Sequence, residues 1–295
     1  MKSGNVEKVL YGEAFKLFRT SKKFTLKEAA GNDTSSANIS KFENGISSPS
    51  VETFFNIINN INVSAFEFQN LYNQMLNSKD IMLYESELIA AYMSNDKDKV
   101  CQFIEKLKML SLAFESKKYK LDKVQAEAVL AKIDREYKIP EEDILFLKTY
   151  LLELEDWGIY DINALTRSDH IFDPVTLSKL TQQMLKANYF NKKLPEIRRA
   201  KIQALLNIVN AFVRNKQWEL AEKYISYLEN MNIEDYYTFE KNILKYNKAN
   251  YRFHRGDDTA LVIMEKCRDV FEYCDCNSYA LLMSKEIKEL KRVRR

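Results

Sequence analysis

Apolar positions recur along this chain at the three- and four-residue spacing of helices rather than in strict alternation. Val51, Phe54, Phe55, Ile57 and Ile58 make one such face, and Pro49-Ser50 stands where its helix should start. Thr25-Leu-Lys-Glu28 and Ser64-Ala-Phe-Glu67 are capping boxes, in which a hydroxyl serves the N3 amide and the Glu reaches back to the cap. Gly31-Asn-Asp-Thr34 breaks the pattern after Ala30. Ser35 is then placed to cap a helix over 36–43 that stops at Asn44-Gly45, the expected left-handed position. Five short helices are predicted in the first seventy residues.

From about Asp80 onward the pattern reads as longer helices separated by polar breaks: Ser94-Asn-Asp-Lys, Tyr137-Lys-Ile-Pro140, Arg167-Ser-Asp-His, Phe190-Asn-Lys-Lys and Arg255-Gly-Asp-Asp. An internal repeat aligns Leu206-Asn-Ile-Val-Asn-Ala-Phe-Val and Trp218-Glu-Leu-Ala221 with Tyr246-Asn-Lys-Ala-Asn-Tyr-Arg-Phe and Asp257-Asp-Thr-Ala260. Each unit is a long helix, a short turn and a second helix packed through Ala, a degenerate tetratricopeptide-like unit. Stacking such units predicts a helical solenoid whose first helices line a concave face.

Composition agrees. The 295 residues include only 6 Gly and 4 Pro, with 46% hydrophobic and 29% charged residues, so an all-α chain of two domains is expected. The expected division is a helix-turn-helix domain over 1–68, a linker helix over 69–80 and a repeat domain over 81–295. The net charge of +3 does not by itself indicate nucleic-acid binding. The tail Lys285–Arg295, with six basic and two acidic residues, reads as a solvated final helix. No apolar stretch has the length of a membrane span and no signal peptide opens the chain, so a cytoplasmic protein is expected.

Cys101, Cys267, Cys274 and Cys276 are read as reduced, partly buried thiols rather than a metal site. No cofactor and no metal are expected. With two isolated His residues, no phosphate loop and no H-E-x-x-H, an enzyme is not expected.

Arg19, Thr25-Leu-Lys-Glu-Ala-Ala30, Ile39-Ser-Lys-Phe-Glu43-Asn-Gly45 and Pro49-Ser50 fall in an order and spacing that resembles the XRE-type helix-turn-helix domain. Gly31 follows Ala30 directly, where most XRE domains have three intervening residues. That turn, with Phe54-Phe55 and Asn62-Val-Ser64, resembles the Rgg/MutR/GadR branch of transcription regulators. Tyr150-Leu-Leu-Glu-Leu-Glu-Asp-Trp157-Gly158-Ile-Tyr160-Asp161 also resembles a segment of the Rgg-type carboxyl domain, with Asp161 where a Glu is usual. Here Trp157 and Tyr160 are read as anchoring two helices through a close contact that Gly158 permits.

The resemblance implies an ion pair between Arg19 and Glu43, a homodimer on two DNA half-sites, and control by a short signalling peptide. In a helix-turn-helix the second helix enters the major groove. Ser36, Ala37, Asn38 and Lys41 are the candidate base contacts: Asn pairs with adenine, Lys donates to guanine, and the Ala methyl meets a thymine methyl. Thr25 and Ser35, at helix N-termini, and Lys27, with Lys22 and Lys23 nearby, are candidate phosphate contacts. In the repeat domain Asn207 and Asn210 recur forty residues later as Asn247 and Asn250. Asn is a poor helix former, and its amide suits the backbone of an extended peptide. Candidate peptide-binding residues are therefore Asn207, Asn210, Arg214, Tyr246, Asn247, Asn250 and Phe253. The alternative is a regulator without a peptide, whose helical domain serves dimerisation or docks a protein partner.

Overall fold

The computed structural model describes residues 3–77, 84–187 and 194–293. Among these residues every regular element is helical. The chain divides into two compact units, Met1–Ala90 and Ala91–Arg295.

The first unit holds α1 (Ser3–Ser21), α2 (Leu26–Ala30), α3 (Ser36–Glu43), α4 (Val51–Asn60) and α5 (Ala65–Asn77). The caps lie where the sequence puts them. Thr25 and Glu28 form the capping box of α2, while the hydroxyls of Ser35 and Ser50 accept from the N3 amides of α3 and α4. The hydroxyl of Ser64 accepts from the Glu67 amide at 3.2 Å. α3 ends in a Schellman motif, with Gly45 donating to Phe42 O and Ile46 to Lys41 O, both at 2.9 Å. α1 ends the same way with Lys23 in the left-handed position at φ 62°, a stop that no glycine announces. Leu10, Phe15, Ile39, Phe42, Ile57, Ile58 and Phe68 form the core that α1 to α5 enclose. Of the linker helix expected over 69–80, residues 69–77 continue α5, and 78–80 lie outside the described residues.

α6 (Tyr84–Met93) crosses the boundary between the units. The second unit continues with α7 (Lys97–Phe114), α8 (Lys117–Ile133), α9 (Glu141–Leu152), α10 (Ile159–Arg167), a 3-10 turn at Asp169–Ile171 and α11 (Pro174–Lys186). It closes with α12 (Pro195–Arg214), α13 (Trp218–Glu229), α14 (Thr238–His254), α15 (Ala260–Tyr273) and α16 (Asn277–Val293). The expected breaks separate α6 from α7, α8 from α9, α10 from α11 and α14 from α15. The one expected at Phe190-Asn-Lys-Lys lies outside the described residues.

α7 packs on α8, α12 on α13 and α14 on α15, so the unit is a succession of helix pairs. The sequence repeat is also a packing register. Arg199 and Gln203 of α12 bond Glu240 of α14 at 2.7 and 2.8 Å, and Asn247 of α14 bonds Leu206 O at 2.7 Å. These pairs advance together along both helices, so the first helices of the two repeats run parallel, offset by 37 to 41 residues. Ala221 and Ala260 are fully buried where the second helices begin.

The Trp157-Gly158 segment is structural. Trp157 lies in the core, 1% exposed. Asp161 accepts from Gly158 N at 3.0 Å and from Tyr150 OH at 2.5 Å, which caps α10 and ties it to α9. Tyr160 OH donates to Asp122 of α8 at 2.8 Å. The close contact expected of Gly158 is not what it provides: its backbone is extended, and an added Cβ would meet only the Asp161 carboxylate at 3.5 Å. The residue acts as the helix cap.

Candidate nucleic-acid interface

α2 and α3 are held at a fixed angle by a turn that only glycine makes without strain. Gly31 has φ 54° and ψ −132°, and Asp33 N donates to Ala30 O at 3.2 Å, which is a type II′ turn with Gly31 at its first central position. An added Cβ would stand 2.6 Å from Asn60 Nδ2. The turn is clasped from α4: Asn60 Nδ2 donates to Ala29 O at 3.1 Å, and Asn56 Nδ2 to Asp33 Oδ1 at 2.7 Å. Asn56 and Asn60, one turn apart, are positioning residues absent from the candidates the sequence offers, because their i, i+4 spacing does not name Asp33 and Ala29 as partners.

α3 is tied to α1 from the other side. Arg19 Nε and Nη2 donate to the two carboxylate oxygens of Glu43 at 2.5 and 2.8 Å, and Nη1 donates to Phe24 O at 2.8 Å. The Arg and Glu side chains are 11% and 5% exposed. The Glu43 carboxylate raises the Arg19 pKa by its hydrogen bond, against the lowering effect of burial. The ion pair expected from the resemblance is therefore formed as a bidentate fork.

The candidate base contacts separate cleanly by face. Ile39, Phe42 and Glu43 are buried, while Ala37, Asn38 and Lys41 are exposed on the outer face of α3 and Ser36 is half-buried. Thr25 and Ser35 are exposed at the starts of α2 and α3, and Lys27 is exposed on α2. The Glu28 carboxyl is held below its ordinary range by its hydrogen bonds to the Thr25 amide and hydroxyl. Lys22 is committed within the unit, its ammonium donating to Asn62 O at 2.5 Å. Asn38 Nδ2 donates to Thr34 Oγ1 at 3.1 Å.

The ligand candidates of the second unit divide into two groups. Asn207 and Arg214 are exposed and Asn210 is half-buried, with its Oδ1 out of solvent and without a hydrogen bond. Tyr246, Asn247, Asn250 and Phe253 are 3%, 3%, 1% and 5% exposed. Their burial corrects the expectation that they face a ligand. Asn247 donates to Leu206 O, Asn250 to Glu286 of α16 at 3.2 Å, and Tyr246 OH to the same Glu286 at 2.7 Å. The groups expected to greet a ligand join α14 to its neighbours.

A family model described as the C-terminal domain of the HTH-type transcriptional regulator Rgg matches residues 104–285. Among solved structures, the Streptococcus dysgalactiae SHP pheromone receptor Rgg2 superposes with a TM-score of 0.73 at 18% identity, covering 95% of this chain and 99% of its own. A protein of Listeria monocytogenes EGD-e, solved as a candidate transcriptional regulator, gives 0.77 at 16% identity over 97% and 99% of the two chains. PrgX in complex with iCF10 gives 0.70 at 15% identity over 97% and 91%. At these identities the likenesses establish the fold, a helix-turn-helix followed by a tetratricopeptide-like domain. The match to the family model spans more than half of the sequence, and the chain belongs to the Rgg family of HTH-type transcriptional regulators, which are not enzymes.

Proposed function

We propose that this regulator binds DNA as a homodimer on two half-sites, in the cytoplasm, and answers to a short peptide held by its repeat domain. In this reading residues 1–68 bind DNA and 81–295 dimerise and take the peptide. Ala37, Asn38 and Lys41 meet base edges, with Ser36 beside them, while the amides at Thr25 and Ser35 and the Lys27 ammonium meet phosphates. The observation that carries the DNA half is the clamped pair α2–α3: the Gly31 turn on one side and the Arg19–Glu43 fork on the other hold α3 with its polar face outward.

The peptide half is supported by structural neighbours solved as an SHP pheromone receptor, Rgg2, and as a bacterial peptide pheromone/receptor complex. Within this chain Asn207, Asn210 and Arg214 are the residues a peptide backbone and its terminus reach. A ligand shifts the regulator only by binding one dimer arrangement better than another. The alternative, a helical domain that serves dimerisation or a protein partner without any peptide, is favoured by the burial of Tyr246, Asn247, Asn250 and Phe253.

The test is a gel shift on the operator recovered by chromatin immunoprecipitation, with and without the synthetic product of a small reading frame beside the gene. Altered DNA affinity supports peptide control. Unaltered affinity and unaltered transcription favour the alternative, and absence of any preferred operator refutes the DNA half.

A further inference from the structure

Asn38 is the third residue of α3, exposed, with its backbone amide already bonded to the Ser35 cap at 3.2 Å. Its side chain is also engaged: Nδ2 donates to the hydroxyl of Thr34, which stands half-buried just ahead of that cap. A carboxamide has two N–H donors and one carbonyl acceptor. With one N–H spent on Thr34, what remains is one donor beside one acceptor, held in one place on α3.

That remaining edge matches adenine, which offers N7 to accept and N6–H to donate in the major groove. Guanine offers two acceptors there and cytosine a donor, so a carboxamide free to shift meets either of them through a single bond. Holding that edge in place turns a polar contact into a selective one, because a base that does not match both of its groups is left with one unpaired.

We infer that Thr34 is a specificity-determining positioning residue: by holding the Asn38 carboxamide it sets the preference for adenine at one base pair of each half-site, without itself touching DNA. The inference rests on the base-contact reading of Asn38 given above. A bidentate contact of this type discriminates by roughly 5- to 150-fold between right and wrong bases. Loss of the hydroxyl should remove about three- to tenfold of that discrimination and leave phosphate-dependent affinity alone.

The experiment is selection of binding sites from random DNA by the full-length protein as wild type, Thr34→Val, Thr34→Ser and Asn38→Ala, with thermal unfolding of each. Thr34→Val keeps the shape and removes the acceptor; Thr34→Ser restores it. Expected is flattening of one adenine position per half-site in Thr34→Val, unchanged preference elsewhere, unchanged affinity for random DNA, and recovery in Thr34→Ser. A Thr34→Val preference identical to wild type, or one weakened at every position alike, overturns the inference while an Asn38→Ala profile flattened at that position leaves the base-contact reading standing. An Asn38→Ala profile identical to wild type removes both.

Discussion

Replacing Arg19 by Met should destabilise the first unit more than any other single change to its polar groups. The Glu43 side chain is 5% exposed and both of its oxygens receive a guanidinium N–H. Removing the cation leaves a buried carboxylate without compensation, a defect that costs about 3–5 kcal/mol. The Phe24 carbonyl loses its donor as well, adding about 1 kcal/mol. For a unit of this size each kcal/mol moves the midpoint by roughly 4–8 °C, so a shift of about 15–50 °C is expected. Glu43→Gln keeps an acceptor for the guanidinium and should cost less, about 1–3 kcal/mol. The double change Arg19→Met with Glu43→Leu removes both charges and should recover most of the loss, because apolar side chains of similar volume replace a buried pair at little cost.

The assay must report on the right unit. Both tryptophans, Trp157 and Trp218, belong to the second unit, so intrinsic fluorescence in urea follows that unit and serves as an internal control that should not move. Hydrogen exchange of peptides covering α1 to α4, read by mass spectrometry on the full chain, follows the first. An Arg19→Met cost below about 1 kcal/mol, or a double variant as unstable as Arg19→Met alone, would refute the reasoning that the pair is held by its burial and fork geometry.

Gly31→Ala puts a side chain on a backbone at φ 54° and into the Asn60 amide, and should cost about 1–3 kcal/mol and lower specific DNA affinity in a gel shift. Asn247→Ala should lower the unfolding free energy measured in urea by about 1–2 kcal/mol, since its buried amide bridges two helices, whereas Asn207→Ala should stay within about 0.5 kcal/mol; equal effects would contradict the different placements of the two residues. Burial raises the Glu127 carboxyl above its ordinary value, against the pull of Lys123, which it shares with Asp143. A raised carboxylate contributes stability that is present below its unfolded value near pH 4.5 and lost as pH rises through the folded value. Glu127→Gln should therefore gain on the wild type as pH rises from 4.5 towards 8, followed by tryptophan fluorescence in urea; a difference that does not change with pH counts against this.

What was legible in the sequence is what depends on neighbours three or four residues away. Thr25 with Glu28, Ser35, Ser50, and Asn44-Gly45 each fix a helix end through bonds that close within one turn, so reading them needs no knowledge of the fold. The Arg19–Glu43 fork, 24 residues apart, was reached through the resemblance and not through spacing. The end of α1 at Lys23 was not legible, because a Lys forced to φ 62° carries no mark in the sequence. The clasp of Asn56 and Asn60 on the turn was missed for a related reason: its meaning appears only once α4 is laid across α2 and α3.

The asparagines of α14 show why recurrence in the sequence set the helices in register but did not predict the surroundings of each side chain. Asn is costly in a helix, and the cost asks for a compensating interaction. In α14 the compensation comes from inside: Asn242 donates to Cys267 O of α15 at 2.9 Å, Asn247 to Leu206 O of α12, and Asn250 to Glu286 of α16. Three buried amides thus join one helix to three neighbours, each supplying a donor where an apolar side chain would leave a carbonyl or carboxylate less satisfied. Asn207 stands at the equivalent register position on α12 and is exposed, so the same residue type answers two different demands one repeat apart. The amide pattern therefore separates the two helices: the Nδ2 donors of α14 are spent on its neighbours, whereas on α12 Asn207 is exposed and Asn210 is half-buried with its Oδ1 out of solvent and unbonded.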